Sequence, residues 1–206
     1  MNIVEEALKE GTERGLTKEQ IDIVVGNDVA LLFLPNAEKL FGDRLLLNFY
    51  DWFKEDETLD IAMHEFEDPS WKDFVSYFHQ PFHVRPLLIP CQVQNGEATY
   101  PLGMLWADGW KTVGGINRAN ISLCFLKKYW VSPLTLEASE RGIKFAFEYL
   151  HCDVLYGITP SENKRSCLYA ERVGMEKTGT IPLWTTYKGH PADASIFCIK
   201  KPSGKE

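Results

Sequence analysis

The stretch of sequence that decides the fold reads Ser161-Glu162-Asn163-Lys164-Arg165-Ser166-Cys167-Leu168-Tyr169-Ala170-Glu171-Arg172-Val173-Gly174-Met175. It begins with a loop that carries an asparagine, continues with residues that favour a short helix, and reaches a glycine where that helix would end. The apolar run in front of it predicts a buried strand over 154–158. The segment therefore predicts a strand, an asparagine loop, a helix over 164–173 and a further strand.

The composition is that of a globular protein and argues against two classes of partner. The chain has 206 residues, of which 45% are hydrophobic and 25% charged, close to the average for globular domains. Its formal net charge is −7, whereas nonspecific binding to nucleic acid or to an anionic membrane requires a basic face. We expect neither partner.

The cysteines indicate a reducing compartment. Five cysteines are scattered without a Cys-x-x-Cys spacing, which is typical of reduced thiols in a cytoplasmic protein. The acidic N-terminal residues do not resemble a secretory signal, and no 18-residue apolar run is present. His79 and His83 are four residues apart, but Pro81 would break a helix that aligned them, so we expect no metal site.

The remaining hydrophobic pattern predicts a mixed α/β (α+β) sheet flanked by helices. We expect an N-terminal helical extension over 1–28 and one domain over 29–206. Asn95-Gly96 is a strong hairpin signal between two of the strands. The other predicted helices cover 2–14, 17–25, 40–54, a stretch starting at Asp68 or Ser70, and 133–150; the other predicted strands cover 29–34, 87–94, 99–106, 119–126, 178–187 and 194–200.

The 161–175 segment resembles the last strand–helix–strand unit of N-acetyltransferases of the GNAT superfamily. Their pattern P-x-N-x-x-S/A-x-x-L-Y/L-E-K-L-G-F is matched at Asn163, Ser166, Leu168, Tyr169, Glu171 and Gly174. The predicted order of elements also resembles theirs, best over 100–201. This resemblance implies a GNAT-like sheet, acetyl-CoA as cosubstrate, and direct attack of an amine on the thioester.

The closest subgroup in pattern is the ribosomal-protein N-terminal acetyltransferases. Their run A-E-I-G-[FYW]-W-L-x-P-x-Y-W-G-x-G-Y-A-T-E-A aligns without gaps on 119–138, with matches at Tyr129-Trp130 and Glu137-Ala138. The resemblance implies that this strand, including Leu123 and Phe125, runs beside the pantetheine arm, and that a backbone N–H after Ala119 polarises the thioester carbonyl.

The loop that holds the pyrophosphate in this family departs from the pattern here. The family's glycines fall at Val131 and Pro133 and its small alanine at Thr135. Pro133 has no N–H, and the side chains of Val131 and Thr135 would crowd a phosphate. Two interpretations stay open: Ser132-Pro133 is an ordinary helix start, or it forms a modified anion site with N–H groups of Leu134, Thr135 and Leu136.

The resemblance also suggests catalytic residues. Tyr169 stands where many GNAT enzymes place a tyrosine that protonates the leaving thiolate, although a packed helix-face tyrosine is an equal alternative. Asn163 and Ser166 would contact the cofactor, and an N-cap is the alternative role of Asn163. The subgroup's glutamate base is replaced by Asn120. Asp108 is a candidate base, with a turn residue as the alternative.

Two functions from different classes follow. The first is an acetyl-CoA-dependent N-acetyltransferase that acts on a small amine or a protein N-terminus. The second is an inactive GNAT-like domain, of a kind found among phage-encoded proteins, that acts as a binding or structural module. It would use the N-terminal helices to dock a protein partner. Val131, Pro133 and Asn120 favour this second hypothesis because the phosphate loop and the base fail together.

Overall fold

The computed structural model describes residues 28–55, 69–81 and 84–202. The predicted helices over 2–14 and 17–25 lie outside these residues. The strands are β1 (Val29–Phe33), β2 (Leu87–Gln94), β3 (Glu97–Pro101), β4 (Gly103–Val113), β5 (Ile116–Phe125), β6 (Val154–Pro160), β7 (Glu176–Tyr187) and β8 (His190–Lys200). The helices are α1 (Leu34–Phe41), α2 (Leu45–Glu55), α3 (Trp71–Phe78), α4 (Pro133–Glu148) and α5 (Lys164–Arg172).

The eight strands form one mixed sheet, as the sequence predicts. Its hydrogen-bonded order is β1-β2-β4-β5-β6-β8-β7, with β3 pairing off β2. The β5–β6 pair is parallel, whereas β1–β2, β2–β3, β2–β4, β6–β8 and β7–β8 are antiparallel. The chain forms two compact units. Among the described residues the first holds 28–45, 87–106 and 123–151, and the second holds the rest.

The first unit is built on β1, whose five residues are all buried. Helices α1 and α4 both pack on β1 and β2, and Phe33 meets Phe145 of α4 edge-on at 6.0 Å between ring centroids. Gly103 allows β4 to approach β5 closely, because a Cβ there would lie 2.2 Å from the carbonyl oxygen of Cys124. Only glycine fits at that crossing.

The second unit contains an aromatic core between α2 and α3. Phe49, Phe53, Phe74 and Phe78 are buried, and Phe53 and Phe74 meet at 6.4 Å between ring centroids. Helix α3 begins at the predicted Ser70, which forms a capping box with Asp73. The hydrogen bonds from Ser70 lower the pKa of Asp73, because they favour its charged form.

Several predicted boundaries are wrong, among them the start of β8, which lies at His190 and not at the predicted 194. The helix predicted over 40–54 is two helices, because Gly42 adopts a left-handed φ of +92° and the chain breaks there. The strand predicted over 99–106 is divided between β3 and β4. Strand β5 begins three residues before the predicted 119, after a turn at Gly114-Gly115 that the sequence analysis missed.

Candidate active site

In the first unit, the chain after β5 folds into a compact loop that leads into α4. A single 3-10 turn covers Lys127–Tyr129. The indole Nε1 of Trp130 donates a hydrogen bond to the carbonyl of Phe125 at 2.8 Å. The family-like pair Tyr129-Trp130 therefore ties the loop to the end of β5.

The start of α4 is an ordinary capped helix start. Ser132 is the N-cap, and its Oγ accepts a hydrogen bond from the N–H of Leu134 at 3.2 Å. The N–H of Thr135 donates to the carbonyl of Ser132 at 3.2 Å. The helix-start interpretation of Ser132-Pro133 is thus observed, and these two N–H groups are used within the cap.

Thr135 does not crowd the outside of this loop, contrary to the expectation from its position in the sequence. Its side chain is only 1% exposed, and its hydroxyl donates to the carbonyls of Ser132 at 2.8 Å and Tyr129 at 3.3 Å. Val131 is 87% exposed instead. Thr135 therefore stabilises the loop from inside, and Val131 alone of the two presents an apolar surface to solvent.

Other N–H groups of the loop are also satisfied locally. Those of Tyr129, Trp130 and Ser132 donate to the carbonyls of Leu126, Lys127 and Tyr129 at 2.8, 3.2 and 2.9 Å. An anion at a helix start is held by N–H groups that lack such partners. This loop consequently offers a pyrophosphate fewer free donors than a glycine-rich loop would. Leu123, Leu134 and Leu136 are half-buried, and Phe125 is buried.

In the second unit, Asp108 lies within strand β4 rather than in a turn. The following Gly109 has a left-handed φ of +63°, a conformation that glycine adopts without steric cost. Asp108 accepts a hydrogen bond from Asn120 Nδ2 at 3.4 Å. A carboxylate therefore lies next to the position where the subgroup has its glutamate.

Arg85 is a second partner of Asp108 that the sequence analysis missed. Its Nε lies 3.2 Å from Asp108 Oδ2, and both side chains are largely buried, at 16% and 20% exposure. The guanidinium also donates to the carbonyl of Tyr77 and lies 3.6 Å from the centroid of the Tyr77 ring. Only the strand register could have revealed this pairing, because the two residues are 23 positions apart.

Asn163 and Tyr169 lie on the segment that suggested the fold. Asn163 is buried, and its Oδ1 accepts from the N–H of Ser166 at 3.2 Å, which caps α5. The N-cap alternative is therefore observed, and it leaves the amide Nδ2 as a potential donor. Tyr169 and Ser166 are half-buried. His190 pairs with the carboxylate of Glu162. Asp193 accepts a hydrogen bond from the N–H of Leu183.

The parallel pairing of β5 with β6 is short. Within the part of the chain that the structure describes, it ends at Asn120–Tyr156, whereas β6 stays paired with β8 as far as Pro160. The pairing of β5 with β6 thus covers only three positions of each strand.

No cluster of three or more His, Cys, Asp or Glu side chains with metal-binding geometry occurs in 28–55, 69–81 or 84–202, and His83 lies outside those ranges. No helix among the same residues is long and apolar enough to cross a membrane.

Solved structures resemble this fold closely. The crystal structure of spermidine N-acetyltransferase from Vibrio cholerae, in complex with CoA and spermine, aligns with a TM-score of 0.66 over 85% of this chain and 96% of its own, at 13% identity. A protein from Chromobacterium violaceum described as a GNAT-family acetyltransferase aligns with a TM-score of 0.64 over 86% and 85% of the two chains, at 21% identity. The chain has the GNAT fold.

A third solved structure with a similar fold, from Vibrio cholerae, is described as a ribosomal-protein-serine acetyltransferase. It aligns with a TM-score of 0.62 over 86% of this chain and 97% of its own, at 18% identity. No protein-family model matches the sequence, and no curated protein sequence matches it. The structural likeness confirms the fold that the sequence predicted.

Proposed function

We propose that this GNAT-fold protein is an acetyl-CoA-dependent N-acetyltransferase. The observation that carries the proposal is the early end of the β5–β6 ladder in an otherwise continuous sheet. Extended strand backbone beyond the end of a ladder suits an amide-containing pantetheine arm, which can hydrogen-bond to it as an added strand would. A backbone N–H beyond Asn120 would polarise the thioester carbonyl.

The proposed reaction is a direct transfer. The nitrogen of the acceptor amine forms a bond to the acetyl carbonyl carbon, and the carbon–sulfur bond of the thioester breaks. Asp108 takes the proton that the amine loses, directly or through a water, and Tyr169 gives a proton to the departing thiolate. No covalent enzyme intermediate forms.

The residues proposed to contact acetyl-CoA lie on both compact units and are given for each unit separately. In the first unit they are the backbone of Leu123 and Phe125 and the α4 start. In the second unit they are Asn163, Ser166 and Tyr169, of which Asn163 retains a free amide donor after capping α5. On α4 they are Ser132, Leu134, Thr135 and Leu136, of which Leu134 and Thr135 would first have to give up the bonds that their N–H groups make within the cap.

We propose an amine as acceptor, either a polyamine or the N-terminal amine of a protein. The names of the structural relatives, a spermidine acetyltransferase and a ribosomal-protein-serine acetyltransferase, support these two classes. None of the five cysteines forms a disulfide, which supports a cytoplasmic location.

The α4 start favours a second function, that of a binding module without transferase activity. Its N–H groups at Leu134 and Thr135 already have partners, and Pro133 has none to give. A protein that had lost pyrophosphate binding would need no open donors there. Such a module would bind a protein partner instead.

Calorimetric titration with acetyl-CoA, followed by an acetylation assay on spermidine and on a peptide with an N-terminal serine, separates the two functions. We expect binding, with a raised melting temperature, and acetylation of one acceptor. Tyr169→Phe should lower kcat by about 100-fold, in the range for general acids, and leave the acetyl-CoA Kd unchanged. No binding at millimolar acetyl-CoA would refute the enzyme and leave the binding module.

A further inference from the structure

The Arg85 side chain is held more firmly than a surface ion pair. Its Nε donates to Asp108, its Nη1 donates to the carbonyl of Tyr77, and its flat face covers the Tyr77 ring. Two of these contacts come from α3 and one from β4. An exposed arginine would lose rotamer freedom for little gain, whereas this one stacks on the Tyr77 ring and is largely buried.

The strand register explains why Arg85 meets Asp108. Strands β2 and β4 are antiparallel, with Leu87 opposite Trp106. Continuing that register by two residues beyond the ladder brings Arg85 opposite Asp108. Cross-strand neighbours of opposite charge lie close enough to pair. The pairing therefore follows the register of the sheet, two residues before β2 begins.

The Asp108 carboxylate is fixed from two sides. Arg85 binds Oδ2, and Asn120 binds Oδ1 from strand β5. Each oxygen keeps a second lone pair, so the carboxylate can still accept a proton from a substrate. Its orientation, however, is no longer free.

We propose that Arg85 is a positioning residue for acetyl transfer, acting through Asp108. This inference rests on the proposed function, in which Asp108 takes the proton of the attacking amine. Arg85 holds the carboxylate at one angle, so that the amine nitrogen can release its proton as its bond to the acetyl carbon forms and the carbon–sulfur bond breaks. The Asp108–Arg85 pair carries no net charge, which allows it to stay largely buried.

Arginine suits this role better than lysine would. A planar guanidinium donates in two directions at once, here to the Tyr77 carbonyl and to Asp108, while its face stacks on an aromatic ring. A lysine ammonium keeps the charge but cannot reproduce the stacking and the two fixed donors. Arg85→Lys should therefore retain only part of the wild-type kcat.

The test combines four variants in a kinetic double-mutant cycle: wild type, Arg85→Gln, Asp108→Asn and the double variant, with Arg85→Lys as the conservative fifth. We expect Arg85→Gln to lower kcat by about 30- to 100-fold, the scale of a misplaced catalytic group. The acetyl-CoA Kd, measured by calorimetry, should stay within about twofold of wild type. The kcat of Arg85→Lys should lie between those of wild type and Arg85→Gln. In the Asp108→Asn background, Arg85→Gln should have no further effect on kcat.

A matched control is Arg141→Gln on α4. Arg141 also donates through Nε to a carboxylate, that of Glu137 at 2.9 Å, with similar partial exposure, and it should leave kcat unchanged. Three outcomes would overturn the inference while the proposed function stands. Arg85→Gln could lower kcat equally in both backgrounds, it could leave kcat unchanged, or its lower activity could be explained by a weaker acetyl-CoA Kd. An inactive wild-type protein would overturn both. If Arg85→Gln does not fold, Arg85→Lys in the two backgrounds decides by the same criterion.

Discussion

Replacing Gly109 by alanine should destabilise the protein by two separable effects. The residue is left-handed, with φ +63°, a conformation that costs an alanine about 1–2 kcal/mol. A Cβ at this position would also lie 2.8 Å from Asn120 Nδ2. Asn120 must then turn away and lose its hydrogen bond to the Asp108 carboxylate.

Gly114 provides a control with the same backbone strain and no collision. Its φ is +60°, and a Cβ there would meet nothing within 4 Å. Alanine also lowers the entropy of the unfolded chain at both positions, which offsets part of the strain. We therefore expect Gly114→Ala to lower the free energy of unfolding by about 1 kcal/mol. Gly109→Ala should lower it by about 1–2 kcal/mol more, the contribution of a hydrogen bond to a charged group.

The assay is urea-induced unfolding of both variants, each made in the wild-type and in the Asn120→Ala background. In the Asn120→Ala background the amide is absent, so Gly109→Ala and Gly114→Ala should become equivalent. Equal effects in the wild-type background, or an excess for Gly109→Ala that survives Asn120→Ala, would refute the contact as the cause. Comparing differences between variants removes most of the extrapolation error in each free energy.

Two further predictions concern the α4 start and a buried thiol. Ser132→Ala should lower the free energy of unfolding by about 1 kcal/mol, the usual value of an N-cap; an unchanged urea midpoint would contradict the cap. Burial, with the neighbouring Asp153 charge adding to it, raises the pKa of Cys152 from 9.0 to about 11. Its stabilising contribution is therefore present below pH 9 and is lost as the pH rises through about 11. Melting curves of wild type against Cys152→Ala from pH 8 to 11 should show a steeper decline in wild type, and parallel declines would count against it.

Signals carried by neighbouring residues predicted well. The N-cap at Ser70, the Ser132-Pro133 helix start and the asparagine loop at Asn163 are all observed. Asn95-Gly96 forms the hairpin turn, with φ values of +54° and +79°. Each signal acts over two or three residues, where side chain and backbone meet whatever the rest of the chain does.

Hydrophobic periodicity predicted the ends of helices less well, because it depends on tertiary packing. The apolar period over 40–54 is continuous, yet the chain breaks at Gly42 because α1 packs on β1 and β2 while α2 packs on α3. The sequence pattern reports which residues are apolar but not which neighbour each helix covers. Asp108 likewise looked like a turn residue beside Gly109, although the turn forms at Gly114-Gly115.

The same distinction between local sequence and tertiary contacts applies to the candidate site. The residues that suggested it, Asn163, Tyr169 and Asp108, could be read from spacing and from resemblance to a family. Their surroundings could not. The inward turn of the Thr135 hydroxyl and the Arg85–Asp108–Asn120 contacts join groups from separate elements.

By itself, the amino-acid sequence determined the order and type of most elements, the caps that begin three of the helices, and the chemical groups present at the candidate site. The tertiary structure alone decided which of those groups meet. The reason is that Arg85 faces Asp108 only because β2 and β4 pair in one antiparallel register, and a slip of one residue would turn every side chain to the opposite face.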